Sequence, residues 1–297
     1  MTRAGSQRVL VVYKKDAYQQ YLQEQHDLHL ARLLRHRHPD VLDMQRAHAV
    51  HERSLEAVVR ALRKMGVAFD LAYRVGLQVR KRYDLAISVG GDGTFLQAAR
   101  SLKNVPLLGV NSDARRSEAV FCAATSRTFP AMCRDALEGR LPELRLYRLK
   151  VALNGKPVRM LALNDVLLAH DDPSTMSRYR LQIGTRAELQ KSSGLWVATP
   201  AGSSSAVLAA GGVRVPWDAK AFQYRPRELY RGRLFRNQLL GGVLSSRASL
   251  RLTWLMRRGC AFIDGPHVRV PLRFADQLDI RLAMTEPLRV LGLRGRS

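Results

Sequence analysis

Residues 89–96 read Val89-Gly90-Gly91-Asp92-Gly93-Thr94-Phe95-Leu96, a glycine-rich turn carrying one carboxylate where an apolar strand ends and a helical pattern begins. In an open α/β sheet, ligands collect at the carboxyl ends of the strands, and a helix N-terminus offers unpaired backbone N–H groups to phosphate. Glycines keep side chains out of that space. Asp92 then stands where a carboxylate could orient a hydroxyl, accept its proton or hold a metal-bound phosphate. The plainer alternative is a glycine turn with a helix-capping aspartate, but the full run Gly-Gly-Asp-Gly-Thr behind an apolar strand favours phosphate chemistry. It is not a Walker A loop, since no G-x-x-x-x-G-K-[ST] occurs, nor a dinucleotide fingerprint, since Leu96 stands where the third glycine belongs.

The elements that must position this turn follow from patterning. Arg8–Tyr13 is a short β-branched apolar run, the mark of a strand buried in a parallel sheet. Leu55, Val58, Val59 and Leu62 recur at helical spacing over Glu52–Met65, and Gly66 sits where a C-terminal cap belongs. Strands are expected at 69–73, 84–89 and 105–110, with a helix over 94–102. This alternation predicts a doubly wound α/β domain over residues 1–138. Past Leu141-Pro142 the pattern turns β-rich. Asn154-Gly155 predicts a hairpin turn between strands at 147–153 and 158–163, and further strands are expected at 179–183, 195–199, 250–255, 268–272, 278–282 and 288–291. The fold class is therefore α/β plus β-rich. Residues 139–297 form the second domain, its tail a candidate for packing back on the first.

Bulk composition bounds the partners. With 297 residues, 46% of them hydrophobic, the chain can build real cores, and no stretch has the run of apolar residues that a bilayer span needs. Few residues precede Arg8, which leaves no room for an ordinary transit peptide and suits a cytoplasmic setting. Cys122, Cys133 and Cys260 form no C-x-x-C pair and are expected as free thiols. The net charge is +24, from 40 Arg and 9 Lys against 25 acids. It is spread over both halves, so a solvated basic surface is favoured over a nucleic-acid groove. Six of the eight histidines lie between His26 and His51; solvated histidines are favoured there over a metal site, and no metal-ligand set is expected.

Three further segments complete a pattern. Asn164-Asp165 follows Leu161-Ala162-Leu163, Thr199-Pro200-Ala201-Gly202-Ser203 runs on to Ala210-Gly211-Gly212, and Asp264-Gly265 comes late. Alone, the first reads as a strand-edge turn and the second as a Ser-rich loop. Together with the Gly-Gly-Asp-Gly loop, in this order, they resemble the NAD kinase family. That family lies within a wider group of kinases sharing the loop, among them diacylglycerol kinases, sphingosine kinases and 6-phosphofructokinases. Gly109-Val110-Asn111-Ser112-Asp113 with Arg116-Ser117-Glu118, and Lys191-Ser192-Ser193-Gly194-Leu195, look like its mitochondrial-type branch and bacterial relatives. The similarity extends over roughly residues 8–275.

The resemblance implies transfer of the γ-phosphoryl group of ATP, with Mg²⁺, to the 2′-hydroxyl of the adenosine ribose of NAD. Asp92 would be the base or hydroxyl-orienting group, and Gly91, Gly93 and Thr94 the phosphate cradle. Asn164 and Asp165 would hold ribose hydroxyls, an amide offering donor and acceptor together and a carboxylate accepting from two hydroxyls. Ser193, Thr199, Gly202, Ser203, Ser204 and Asp264 complete the implied nucleotide site. Arg115 and Arg116 are candidate phosphate clamps, with ordinary surface arginines the equal alternative. Inorganic polyphosphate is an alternative donor, and a homodimer or homotetramer is the family expectation. Two departures bear on the site: Ser193 replaces the acidic residue that usually precedes the glycine, and Ala206 replaces an aromatic that could pack on adenine. Tyr179, Trp196 and Tyr224 are the candidates to substitute for it. A lipid kinase, motivated by the shared loop and basic surface, and a catalytically weak NAD- or NADP-binding sensor, motivated by the two departures, are the rival readings.

Overall fold

A computed structural model describes residues 7–233 and 236–293. The expectation about the residues preceding Arg8 rests chiefly on residues 1–6, outside that range. The chain divides into two compact units. One takes the chain up to Leu144 and again from Arg289, the other Arg145–Leu288.

The first unit is built on parallel strands β1 (Arg8–Tyr13), β2 (Ala68–Tyr73), β3 (Leu85–Gly90) and β4 (Leu107–Asn111), in the order β2-β1-β3-β4. The two-residue β5 (Ala124–Thr125) and Val290, from the chain's last strand, each pair in parallel with β4. Every residue of β3 and β4 is buried, which is why they read as unbroken apolar runs. Around them come α1 (Leu28–Arg35), α2 (Pro39–Lys64), α3 (Asp92–Ser101) and α4 (Phe129–Leu137), with a π-helical turn at Tyr18–Glu24.

Helix α2 starts thirteen residues before the expected Glu52, with Pro39 at its first turn. Only its C-terminal half carries the Val58, Ala61, Leu62 stripe that packs on Val9, Val11 and Ile87. The N-terminal half has little apolar periodicity to read. At about 1.5 Å per residue its length is roughly 39 Å, against roughly 20 Å for a six-residue strand, so α2 is far longer than the strands it packs on.

The second unit holds β6 (Glu143–Leu153) from Arg145 on, β7 (Lys156–Pro157), β8 (Asp165–Ala169), β9 (Ser177–Ile183), β10 (Arg186–Ser192), β11 (Gly194–Ala198), the short α5 (Ala206–Ala209), β12 (Ala221–Arg227), β13 (Gly242–Ser245), β14 (Leu250–Trp254), β15 (Gly259–Ile263), β16 (Val268–Leu272) and β17 (Gln277–Leu291) as far as Leu288. One antiparallel sheet runs β13-β12-β11-β8-β15-β16. A second set runs β10-β9-β14-β17, with β6 beside β17. Leu168, Val197, Phe222 and Ile263 from the first share a core with Tyr179, Leu252, Trp254 and Ile280 from the second.

Two strand expectations need correction. The segments at 278–282 and 288–291 are one strand, β17. The hairpin turn at Asn154-Gly155 forms with both residues at positive φ, but its return strand is only β7. Val158 N–H still donates to Val151, and Leu149 pairs with Ala162. Two extra residues on the returning side between those pairs break the ladder at 159–161.

Candidate functional site

In the first unit the end of β3 places the carboxylate. Gly90 closes the strand, Gly91 is the N-cap of α3, and Asp92 is its first residue. Asp92 Oδ1 accepts from the Phe121 backbone N–H at 2.9 Å and Oδ2 from Val120 N–H at 3.1 Å. A carboxylate has about four lone-pair sites, so this anchoring leaves two free. Gly90 is required by close approach, since a Cβ there would sit 2.7 Å from Thr94 Cβ, and one on Gly91 would meet Ser117 Oγ at 3.0 Å. Gly93 is exposed and open, with only Arg74 Nη1 at 3.6 Å. Thr94 is buried, and its hydroxyl accepts from Arg74 Nη1 at 3.2 Å.

The β4 loop wraps the same turn. Ser112 N–H donates to Gly90 O, Asn111 Nδ2 donates to Ser117 O at 2.8 Å, and the Phe95 and Phe121 rings stack at 5.2 Å. Burial, and then the charge of Asp92, push the Cys122 thiol up to about 12, so it stays protonated. Arg116 is occupied by Asp43 and Asp113, while Arg115 is exposed. A cleft of about 620 Å³ lies between α2 and this loop, lined by Arg46, Arg53, Ser54, Ser112 and Arg115.

Two of the clustered histidines are not solvated. His48 Nδ1 lies 2.9 Å from an Asp16 carboxylate oxygen, and buried His51 places Nε2 2.9 Å from Lys14 O. Both tie α2 to the segment after β1. Among the described residues no three His, Cys, Asp or Glu side chains cluster as a metal cage.

The second unit assembles most of the remaining residues. Buried Asp264, in a left-handed turn after β15 (φ 47°), accepts three backbone N–H groups, from Leu163 at 2.9 Å, Asn164 at 2.7 Å and Asp165 at 3.1 Å. Its own N–H returns to Asp165 O. Thr199 Oγ1 donates to Leu163 O at 2.6 Å and accepts from Gly202 N–H at 3.0 Å. Gly202 then lies so close to Asn164 that a Cβ would meet its carbonyl carbon at 2.6 Å. Asn164 Nδ2 donates to Asp165 Oδ2 at 3.0 Å and to Ser205 Oγ at 3.1 Å.

Asn164, Asp165, Thr199, Gly202 and Asp264 are thus one hydrogen-bonded knot. Ser205, which the sequence reading missed, belongs to it; its signal was an N-cap serine before Ala206–Ala209. Buried Ser203 turns instead to Val215, accepting its N–H at 2.9 Å. Ser204 is half-buried beside it. Ser193 is elsewhere, just before β11, about 20 Å of extended chain from Thr199, which follows the strand's other end. Two of the proposed substitutes for the missing aromatic are core residues: Tyr179 is fully buried with its hydroxyl on Ser192 at 2.8 Å, and Tyr224 is 5% exposed. Trp196 is half-buried, with the Arg227 guanidinium 5.9 Å from its ring centroid.

No helix among the described residues is long and apolar enough to cross a membrane. Residues 9–125 match the ATP-NAD kinase N-terminal domain family. A probable NADH kinase of Oryza sativa subsp. japonica is 38% identical over 219 residues, 66% of this chain and 67% of the relative. Two solved structures share the fold. An NAD kinase from Archaeoglobus fulgidus in complex with ATP has a TM-score of 0.68 at 21% identity, over 95% of this chain and 92% of the other. Yeast NADH kinase complexed with NADH has 0.67 at 16% identity, over 98% and 85%. With the motif residues seated as described, and that relative matched across two thirds of its length, the chain belongs to the NAD kinase family.

Proposed function

We propose that the protein transfers the γ-phosphoryl group of ATP to the 2′-hydroxyl of the adenosine ribose of NAD, giving NADP and ADP. The observation that supports it most is the Asp92 carboxylate, fixed by two backbone amides at the head of a glycine turn. In the proposed step the ribose 2′-oxygen forms a bond to the γ-phosphorus as the bond to the β–γ bridging oxygen breaks. The hydroxyl proton passes to a free lone pair of Asp92. Phosphoryl transfer asks little covalent chemistry of a protein, so positioning and electrostatics carry the rate.

Gly91, Gly93 and Thr94 shape the phosphate cradle. The Asn164 and Asp165 side chains hold ribose hydroxyls. Asp264, Thr199 and Gly202 spend their polar groups inside the chain, so their part is to fix the Asn164-Asp165 backbone. Ser203 and Ser204 shape the loop that follows. Ser193 belongs to a different stretch of the nucleotide site. Mg²⁺ would be bound chiefly through the substrate phosphates, which asks for few protein carboxylates; the chemistry it would supply is to neutralise charge on the transferring phosphates. NADH is an acceptor with the same ribose hydroxyl, and two of the similar proteins are named for it. A cytoplasmic homodimer or homotetramer belongs to the same proposal.

The test incubates purified protein with Mg²⁺ and NAD or NADH, adding ATP or inorganic polyphosphate separately, and detects NADP or NADPH enzymatically. Formation of either with ATP is the expected result; no product with any pairing refutes the proposal.

A further inference from the structure

Four strand ends form one row beside the Gly-Gly-Asp-Gly turn. In register, Tyr13 of β1 pairs with Tyr73 of β2 and with Val89 of β3, and Gly90 pairs with Asn111 of β4. The next residue on each of the first two strands is a cation, Arg74 after β2 and Lys14 after β1. Arg74 N–H donates to Tyr13 O, which extends the β1–β2 ladder by one bond.

Both side chains are half-buried, and burial is the first cause lowering the pKa of each. Arg74 also depresses Lys14, and Arg100 depresses Arg74. Among the described residues neither Lys14 nor Arg74 forms an ion pair. The carboxylates within electrostatic reach of Lys14 are Asp16 and Asp113, and they are already bound to His48 and Arg116. Arg74 spends Nη1 on Thr94 of the glycine turn, while its buried Nε has no hydrogen-bond partner among the described residues. Holding like charges together, half out of water and unpaired, costs stability, such perturbed groups cluster at functional sites, and a bound anion would relieve both the repulsion and the lack of a partner.

We infer that Lys14 and Arg74 form a two-cation clamp for the phosphate chain of the phosphoryl donor, Arg74 gripping it from the Thr94 side and Lys14 from the end of β1. The inference rests on the proposed kinase reading. Guanidinium and ammonium suit the task differently: the planar fork fixes direction and the point charge neutralises. The shared chemistry is a chain of phosphates, supplied by MgATP or by inorganic polyphosphate.

The test measures steady-state kinetics of Lys14→Met, Arg74→Gln and Arg74→Lys with each donor the wild type accepts, together with melting temperatures. Inorganic tripolyphosphate is the binding probe. The clamp predicts a donor KM at least about tenfold higher in Lys14→Met and Arg74→Gln, partial rescue in Arg74→Lys, and an NAD KM within about twofold of wild type. Tripolyphosphate raises the melting temperature of the wild type, and this rise is lost in both charge-removing variants. Without ligand, Lys14→Met melts no lower than wild type, since it relieves repulsion. Donor KM values within about twofold of wild type in both variants overturn the clamp. So does a parallel rise in donor and NAD KM with a lowered melting temperature, which marks a merely structural role. If both donors respond, the clamp reads the phosphate chain itself; if ATP alone responds, the donor is the nucleotide. Should the wild type make no NADP(H) while tripolyphosphate still stabilises it and not the variants, the kinase reading fails and the anion clamp stands.

Discussion

Gly202→Ala separates packing from chemistry within the second unit. The new Cβ would lie 2.6 Å from the Asn164 carbonyl carbon and 2.9 Å from its Cα, and closer still to the carbonyl oxygen. All three are backbone atoms, so no side chain can swing aside. Relief requires the two segments to part by on the order of 1 Å, and overpacking of this kind costs about 1–3 kcal/mol. The displaced partner is the residue whose N–H is pinned to Asp264 and whose amide faces Asp165 and Ser205. A shift of about 1 Å in a positioning group can cost about 10²-fold in rate. Urea unfolding should therefore show a lower midpoint, and kcat/KM for NAD, read by NADP formation, should fall by roughly one to two orders of magnitude. Donor KM should stay within about threefold. Gly93→Ala is the contrast: its nearest neighbour is the flexible tip of Arg74 at 3.6 Å, so it should unfold like wild type. A Gly202→Ala protein with unchanged midpoint and unchanged NAD kinetics would refute the placement of Asn164 against this glycine.

Asp92→Asn should fold and lose about 10² to 10⁴ in kcat, measured by the same NADP assay; turnover within about threefold of wild type would remove Asp92 from proton transfer. Asp264→Asn turns one of two accepting oxygens into an NH₂ facing a backbone N–H, and should cost about 1–3 kcal/mol in urea unfolding with a raised NAD KM. Hydrogen bonds first from Arg8, then Tyr83 and Lys81, hold the Asp70 carboxyl down at about 2 from its ordinary 3.8. A depressed carboxyl contributes stability that is present above the unfolded value and lost as pH falls through the folded one. Asp70→Asn should therefore lie below wild type in stability at pH 5 and converge with it between pH 4 and 2; parallel curves there would contradict the assignment.

The legible parts of this fold are those whose pattern is set locally. β1 has the bounds the sequence suggested, and β3 and β4 lie within a residue or two of theirs, because strands buried on both faces read as continuous apolar runs; β16, a partly exposed edge strand, also has its expected bounds, from the alternation of Val268, Val270 and Leu272 with Arg269 and Pro271. β10, Arg186-Ala-Glu-Leu-Gln-Lys-Ser192, went unseen because an edge strand with one long apolar side chain has no alternation to detect. β15, Gly259-Cys-Ala-Phe-Ile263, is small-residue rich and fully internal to its sheet, paired with β8 on one side and β16 on the other. Its strand character comes from those neighbours.

The candidate site divides along the same line. Which residues carry chemistry was readable from motif, since Asp92, Asn164 and Asp165 stand in short runs of restricted composition. How labour divides among them was not. Asp264 and Asn164 are the same kind of residue on paper, polar groups in a turn, yet one carboxylate is consumed by three amides about a hundred residues away in sequence while the other side chain stays near the surface of its knot. That difference is decided by long-range backbone donors, which leave no mark on local spacing. Lys14 and Arg74 make the converse case: each follows its strand as one more basic residue among 49, and only the β1–β2 register brings the pair together beside the glycine turn.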